Sequence, residues 1–567
     1  MELLDSRRLT GPNLVSASPG ALLDVSFLAE NDTVVELWRD EIESLLKQEG
    51  LPEMDLIVKP RQNGAWLVVS GPIDQLYGLI DLSELAWQRA VGRITNFIPE
   101  KELGEAPPLD LEGILQQLSE ELNPPLIALQ QAAKSKNVSF FWDDDYASLG
   151  MGKYAQTWPV RELPPLSDID WSSFNDIPLG VVTGTNGKST NIRLLSFMAT
   201  CAGLISGNTS TDWIRVGNEI LDAGDYSGPG GARTVLRDQR VEIAFLETAR
   251  GGLLRRGAGV ERANVALITN VAEDHMGQYG IHSVADLTQA KMIVQRLVRN
   301  GGVLVLNADD ENLVRAAASL KKQDMCWFSR DDRNATIRSH VEQGGRACVV
   351  QDGAIVYKTP GGTHQIALVS EIPITLDGKA AYNVSNCLSA TAVAMECGLP
   401  LDAVRQGLID FENTPGTNPG RSNYFQVGRI KVLLDYAHNV HGLATILATT
   451  AQLGAKRRIL TLSTAGDRTE REIRQLAALA ATSGVDEILV SDCIGYEREL
   501  GAGGVPRILT DELLRHGVQA ATFNSELDAV KAAFERAQDG DILILLVKAE
   551  RYECVDLIHN QNQSRSE

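Results

Sequence analysis

A short apolar strand that runs through a glycine turn directly into a helix constrains this chain more than any other feature. Leu179-Gly180-Val181-Val182-Thr183 reads as a buried strand. Gly184-Thr185-Asn186-Gly187-Lys188-Ser189-Thr190 follows it, and the pattern predicts a helix from about Lys188 to Cys201. Glycines let backbone N–H groups converge on one point, and a helix N-terminus adds partial positive charge. That combination suits a triphosphate. Lys188 is placed to neutralise the β and γ phosphates, and the Ser189 hydroxyl to ligate magnesium. The loop departs from the commonest phosphate-loop spelling, because residue 182 is Val rather than Gly.

The strand–helix alternation continues on both sides of residue 421. Apolar runs recur at Val241–Leu246, Val265–Thr269 and Val303–Leu306, with helical patterns between them. A second series occupies Ile430–Leu434, Arg458–Leu462, Glu487–Val490 and Asp541–Val547. Strands separated by helices predict parallel sheets covered on both faces. The first hundred residues mix short strands and helices instead. Ala65–Val69 is strand-like and closed by Ser70-Gly71-Pro72. Residues 110–135 carry helical spacing, Asn137 to Trp142 reads as a strand, and 160–177 as a linker rich in Pro, Asp and Ser. Pro107-Pro108, Pro124-Pro125 and Pro164-Pro165 punctuate this stretch. The fold class expected is α/β: an α+β region over 1–105, a helical and strand remnant with linker over 106–177, a central ATP-binding domain over 178–416, and a Rossmann-like C-terminal domain over 417–567.

Charge and cysteine usage narrow the partners. A net charge of -21 over 567 residues repels nucleic acid and anionic membranes, so neither is expected. The start shows no basic segment leading an apolar core, and no apolar run approaches the ~20 residues of a spanning helix. The seven cysteines are scattered and form no Cys-x-x-Cys, which disfavours a disulfide framework or a zinc site. A cytoplasmic protein is expected, and a homo-oligomer.

Gly-Thr-Asn-Gly-Lys-Ser-Thr resembles the phosphate loop of the Mur ligase superfamily. That group includes the peptidoglycan Mur ligases, the folylpolyglutamate synthases and the C-terminal half of cyanophycin synthetase. Phe245-Leu246-Glu247 closes a strand, and the resemblance gives Glu247 a magnesium-binding role. The run Glu247-Thr248-Ala249-Arg250-Gly251-Gly252-Leu253-Leu254-Arg255 is similar to the cyanophycin synthetase branch in particular. In Thr269-Asn270-Val271-Ala272-Glu273-Asp274-His275 the family places a magnesium-binding His at His275; a neutral imidazole is a reasonable metal ligand. Lys291 stands where many Mur ligases carry a carbamylated lysine. Asn383 and Asn386 resemble helix-borne asparagines near the adenine. Asn418-Pro419-Gly420-Arg421 resembles an interdomain motif whose Arg reaches the γ-phosphate, a task its planar fork suits. Asp435-Tyr436-Ala437-His438-Asn439 resembles the signature opening the last domain, with Val440 replacing its usual Pro. Gly466-Asp467-Arg468 follows the next strand, as in the family.

The likeness extends toward the start of the chain. Arg8-Leu9-Thr10-Gly11-Pro12-Asn13 resembles the opening of cyanophycin synthetase. Phe140-Phe141-Trp142 through Leu149-Gly150-Met151-Gly152-Lys153 resembles the lead into that enzyme's ATP-grasp module. Only about thirty residues then separate Lys153 from the phosphate loop, too few for an ATP-grasp body.

Taken over to this sequence, the resemblance implies an ADP-forming acid–amino-acid ligase that uses ATP and Mg2+. A carboxylate attacks the γ-phosphate, and an amine then displaces phosphate from the acyl phosphate. Lys188, Glu247, His275, Lys291 and Arg421 are the expected catalytic set. Gly184–Thr190, Asn383, Asn386, Arg421, Asp435 and His438 are expected at ATP, and Ser189, Glu247 and His275 at the metal. Arginine or another amino acid joined to an aspartate-like or short-peptide carboxylate is the substrate pair implied, with a separate ATP-grasp ligase as partner. A folylpolyglutamate- or peptidoglycan-type ligase is the alternative within the superfamily. A non-catalytic nucleotide-binding subunit of an ATP-grasp ligase is the alternative of another class.

Overall fold

The computed structural model describes residues 1–95, 110–320 and 323–566, so Pro107-Pro108 and the expected boundary at 105/106 lie outside the described residues. The chain divides into two compact units. The first comprises Met1–Thr183, Leu204–Ala266 and Gln289–Val303; the second comprises Gly184–Gly203, Leu267–Thr288 and Leu304–Glu567.

The first unit opens with an antiparallel sheet in the order Glu2–Leu9, Gly20–Ser26, Gly64–Ser70, Asp55–Arg61. Period-2 alternation sends Ala21, Leu23 and Val25, with Ala65, Leu67 and Val69, to one face. Helices Thr33–Gln48 and Leu76–Thr95 cover that face with Val34, Trp38, Ile42, Leu79, Leu82 and Ala86. The opposite face carries Leu22, Asp24, Trp66 and Val68, all buried: Trp66 Nε1 donates to Asp24 Oδ2 at 3.0 Å, and Arg61 pairs with the same carboxylate. Helices Leu111–Glu121 and Pro124–Ser135 follow, both capped by a side chain at the N-terminus, Asp110 and Asn123. The strand expected from Asn137 begins only at Phe140. Asn137 has φ 55, the left-handed turn that ends the preceding helix, so it cannot also start a strand. Phe140–Trp142, Tyr146–Leu149 and Gln156–Pro159 form a small antiparallel sheet.

The α/β part of this unit pairs Leu179–Thr183, Ile243–Glu247 and Ser206–Thr209 in parallel. Trp213–Val216 and Glu219–Ala223 then turn back antiparallel at the edge.

In the second unit, helix Lys188–Cys201 packs against helices Ala381–Glu396 and Leu401–Ile409. Met325–Ser329 runs parallel to Leu304–Asn307 and to Arg346–Gln351. The parallel run then stops: Asp352 (φ 49) and Gly353 (φ 77) make a two-residue turn into Ala354–Thr359, which pairs antiparallel with both neighbours. The sheets are thus mixed at their edges rather than parallel throughout.

The last sheet has the order Asn423–Val427, Ile430–Asp435, Ile542–Leu546, Arg458–Leu462, Glu487–Ser491, Ala521–Phe523. All its pairs are parallel except the opening hairpin. Leu433, Leu460, Leu462, Val490, Ile544 and Leu546 face helices Val440–Ala451, Glu470–Thr482 and Gly504–Arg515 on one side. Val432, Ile459, Leu489, Leu543 and Leu545 face Glu526–Arg536 and Arg551–Ser566 on the other. Among the described residues no helix is long and apolar enough to cross a membrane, and all seven cysteines are free thiols.

Trp38 is fully buried and its Nε1 donates to Ser83 Oγ. Trp38→Ala is expected to destabilise the N-terminal sheet by about 3–5 kcal/mol. Hydrogen exchange would show it as lost protection in Gly20–Ser26 and Gly64–Ser70.

Candidate functional site

In the second unit the phosphate loop is cinched by the segment 269–272. Thr185 N donates to Asn270 O at 2.9 Å, Asn186 N to Asn270 Oδ1 at 3.0 Å, and Thr269 Oγ1 to Asn186 O at 2.6 Å. Ala272 N donates to Thr185 Oγ1 at 3.0 Å. The two loop glycines have left-handed backbones, φ 147 at Gly184 and φ 89 at Gly187. A Cβ at 184 would stand 1.8 Å from Thr269 Oγ1, and one at 187 would stand 2.3 Å from Asn386 Oδ1. Steric room and backbone conformation both require glycine at these positions. The Lys188 ammonium is folded over the loop and donates to Gly184 O at 3.2 Å and Thr185 O at 3.1 Å. Ser189 and Thr190 are buried in the first turn of the helix.

Asn383 and Asn386 stand beneath this loop. Asn191 Nδ2 donates to Gly187 O at 2.9 Å and to Asn386 Oδ1 at 3.3 Å. Asn386 Nδ2 donates to Asn383 Oδ1, and Asn383 Nδ2 to Ile374 O. Both amides are engaged in a buried chain that backs the turn. Asp435 is likewise engaged: its carboxylate accepts from Ser422 N and Oγ, both at 2.8 Å, and from Ala437 N at 2.7 Å. Burial pushes its carboxyl up against the pull of these bonds and of Arg421. The residue shapes the turn that carries Tyr436 and His438. Arg421 lies over the Tyr436 ring, 4.5 Å from guanidinium carbon to centroid, and Arg551 lies 5.3 Å from the same centroid.

A second cluster joins His275 and His438. Arg468 Nη1 donates to Asp274 Oδ1 at 2.6 Å, and Arg468 Nη2 lies 3.1 Å from His275 Nε2. His438 Nε2 is 3.9 Å from the same Asp274 oxygen. Burial pushes His438 down to about 3, so its imidazole is neutral at physiological pH. Burial raises the Asp274 carboxyl, but the Arg468 guanidinium outweighs that and holds it well below the usual carboxylate range. Asp274, His275 and His438 offer three ligand atoms within 4.8 Å of one another. The guanidinium of Arg468 already supplies a cation to that trio.

Sequence reasoning missed Asp274 as a site residue, although it lies in the motif quoted around His275. It also missed Asn439 and His441. Asn439 exchanges amide hydrogen bonds with Asn186 at 3.2 and 3.3 Å, and His441 Nδ1 lies 2.9 Å from Asn186 Nδ2. The third residue of the phosphate loop is thereby tied to the start of helix Val440–Ala451.

Glu247 and Lys291 fall in the first unit. Glu247 ends its strand, 2% exposed, opposite Val182 in the parallel register, and Thr248 N donates to Val182 O at 2.8 Å. Lys291 is 3% exposed at the end of helix Val284–Lys291.

Gly187→Ala is expected to weaken ATP binding about tenfold to hundredfold, read by nucleotide titration, because the left-handed turn and the Asn386 contact both resist a methyl. Arg468→Met and Asp274→Asn are each expected to destabilise the second unit by about 3 kcal/mol, and a double-mutant cycle should return a substantial coupling energy.

Residues 182–394 match the Mur ligase middle domain, and residues 420–548 match the Mur ligase, glutamate ligase domain. Cyanophycin synthetase of Nostoc sp. is 34% identical over 377 residues, which is 65% of this chain and 41% of that protein. The UDP-N-acetylmuramoyl-L-alanyl-D-glutamate--2,6-diaminopimelate ligase of Listeria monocytogenes is 23% identical over 394 residues, 66% of this chain and 74% of that one. Among solved structures, E. coli FolC in complex with ADP aligns over 69% of this chain and 90% of its own, with a TM-score of 0.49 and 18% identity. The chain therefore spans about two fifths of the length of its cyanophycin synthetase relatives. With both Mur ligase domains present in order, the chain belongs to the Mur ligase superfamily.

Proposed function

We propose that this chain is an ATP-dependent ligase that activates a carboxylate as an acyl phosphate and couples it to the amine of an amino acid. The observation that carries this reading is the phosphate loop, whose two glycines are required by neighbours that leave no room for a side chain. Lys188 neutralises the β and γ phosphates when nucleotide draws it off the loop carbonyls. Arg421 pairs with the γ-phosphate through its fork. His438, kept neutral by burial, adds no positive charge of its own.

Ser189, Glu247 and His275, a hydroxyl, a carboxylate and an imidazole, are the proposed magnesium ligands. When bound, magnesium would neutralise charge on the phosphate oxygens. Lys291, 3% exposed, is proposed to be carbamylated, which would replace its ammonium with an anionic carbamate able to meet a metal. The protein's own contribution is positioning and charge neutralisation, the principal levers on phosphoryl transfer.

Arginine, or another amino acid, added to an aspartate-like or short-peptide carboxylate is the proposed substrate pair. Its support is the 34% identity to cyanophycin synthetase, against 23% to the diaminopimelate ligase. A separate ATP-grasp ligase is the proposed partner, and the cytoplasm the proposed location.

The test is ADP release with magnesium across a panel of amino acids and Asp-containing peptides, with products weighed by mass spectrometry. Sustained ADP turnover is expected only when a carboxylate acceptor and an amine are both present, with at most one ADP per enzyme from the acceptor alone. Lys188→Met should lower kcat by about a hundredfold or more. No ADP with any pair, or equal ADP release without acceptor and amine, would contradict the ligase reading.

A further inference from the structure

The segment Thr10–Asn13 leaves the first strand of the N-terminal sheet and grips the chain just beyond helix Arg250–Arg255. Thr10 N donates to Arg256 O at 2.7 Å, and Ala258 N donates to Pro12 O at 2.7 Å. Arg7, 7% exposed, donates from Nε to Leu254 O at 3.1 Å. Arg296 Nη1 donates to Asn13 O at 2.8 Å. Asn13 fixes the far end of the segment: its Oδ1 accepts from Val15 N and Ser16 N, both at 2.8 Å, and its Nδ2 donates to Gly11 O.

Between these bonds the two backbones meet with no side chain between them. A Cβ at Gly11 would stand 2.2 Å from Ala258 O. Gly257 has φ 83, and a Cβ there would stand 2.5 Å from Gly11 O. Two backbones this close leave neither position room for any residue but glycine.

What the segment grips leads straight to functional residues. Helix Arg250–Arg255 is six residues, about 9 Å of rigid rod. Its C-terminal end lies in the grip, and its N-terminal end follows Glu247-Thr248-Ala249 with the buried Arg250. Ala249 N donates to Ser227 O at 3.0 Å, so the turn is pinned at one further point. A shift of the far end of so short a rod is passed on to its near end.

We propose that Gly11 and Gly257 are positioning residues: the strap Thr10–Asn13 holds helix Arg250–Arg255 and thereby sets Glu247 and Arg250 for turnover. The N-terminal domain is then part of the catalytic apparatus through this strap. This rests on the reading that Glu247 serves the ligase reaction.

The experiment uses the full chain and compares wild type with Gly11→Val, the milder Gly11→Ala, Arg7→Met, and Gln48→Ala as a control. Gln48→Ala, at the end of helix Thr33–Gln48 and outside the strap, removes only an exposed amide bonded to Ser44 Oγ at 2.8 Å and should behave as wild type. For Gly11→Val, hydrogen exchange in 249–258 should speed up at least about tenfold, and kcat should fall about tenfold to hundredfold. The magnesium requirement should rise, while the KM for ATP and the unfolding temperature stay close to wild type. Arg7→Met should move the same readouts by less, and decides the matter if Gly11→Val does not fold. Loosened exchange in 249–258 with kcat and magnesium dependence unchanged would overturn the strap's role, as would unchanged exchange. A wild-type chain that forms no ADP would instead overturn the ligase reading, and the two failures are thereby distinguished.

Discussion

Two positions in the phosphate loop have no room for a side chain, and the second unit is arranged around that fact. Gly184 sits against Thr269 and Gly187 against Asn386, both with left-handed backbones. The neighbours that create the crowding also supply the bonds. Thr269 and Asn270 hold the loop from one side, and Asn191, Asn386 and Asn383 back it from below. Asn439 and His441 fasten it to the start of helix Val440–Ala451. A loop braced on three sides keeps its N–H groups pointed at one place before any ligand arrives, and such preorganisation is what a phosphate site needs.

The electrostatics beside that loop are set by one buried pair. Arg468 holds Asp274 ionised against its burial, and the same guanidinium reaches His275. His438 stays neutral because it is buried beside a carboxylate already answered by an arginine. Removing either partner of a buried pair leaves an uncompensated charge, which makes the pair a matter of arrangement more than of net stability.

Much of this was legible in the sequence for identifiable reasons. The phosphate loop is legible because a strand, two glycines and a helix in that order admit few other readings. The last sheet is legible because Val432–Leu434 and Ile542–Val547 are continuous apolar runs, as expected of strands buried on both faces. The antiparallel edge was spelled by Asp352-Gly353, a turn signal that the strand–helix rhythm overshadowed. The hydrogen-bond partners of Asn383, Asn386 and Asp435 were not legible, because Ile374 and Ser422 come to them through the fold and not through a motif. Nor could Gly11 and Gly257 be connected, since their contact spans more than two hundred residues of chain.

Formation of an acyl phosphate is the step on which the proposed ligase reaction depends. The decisive measurement supplies the acceptor with an 18O-labelled carboxylate and weighs the phosphate released on amide formation. An acyl phosphate intermediate transfers one labelled oxygen from the carboxylate to each phosphate, because the amine displaces phosphate at the carbonyl carbon. Phosphate that carries no label from the acceptor, while ADP and amide still form, would contradict the account.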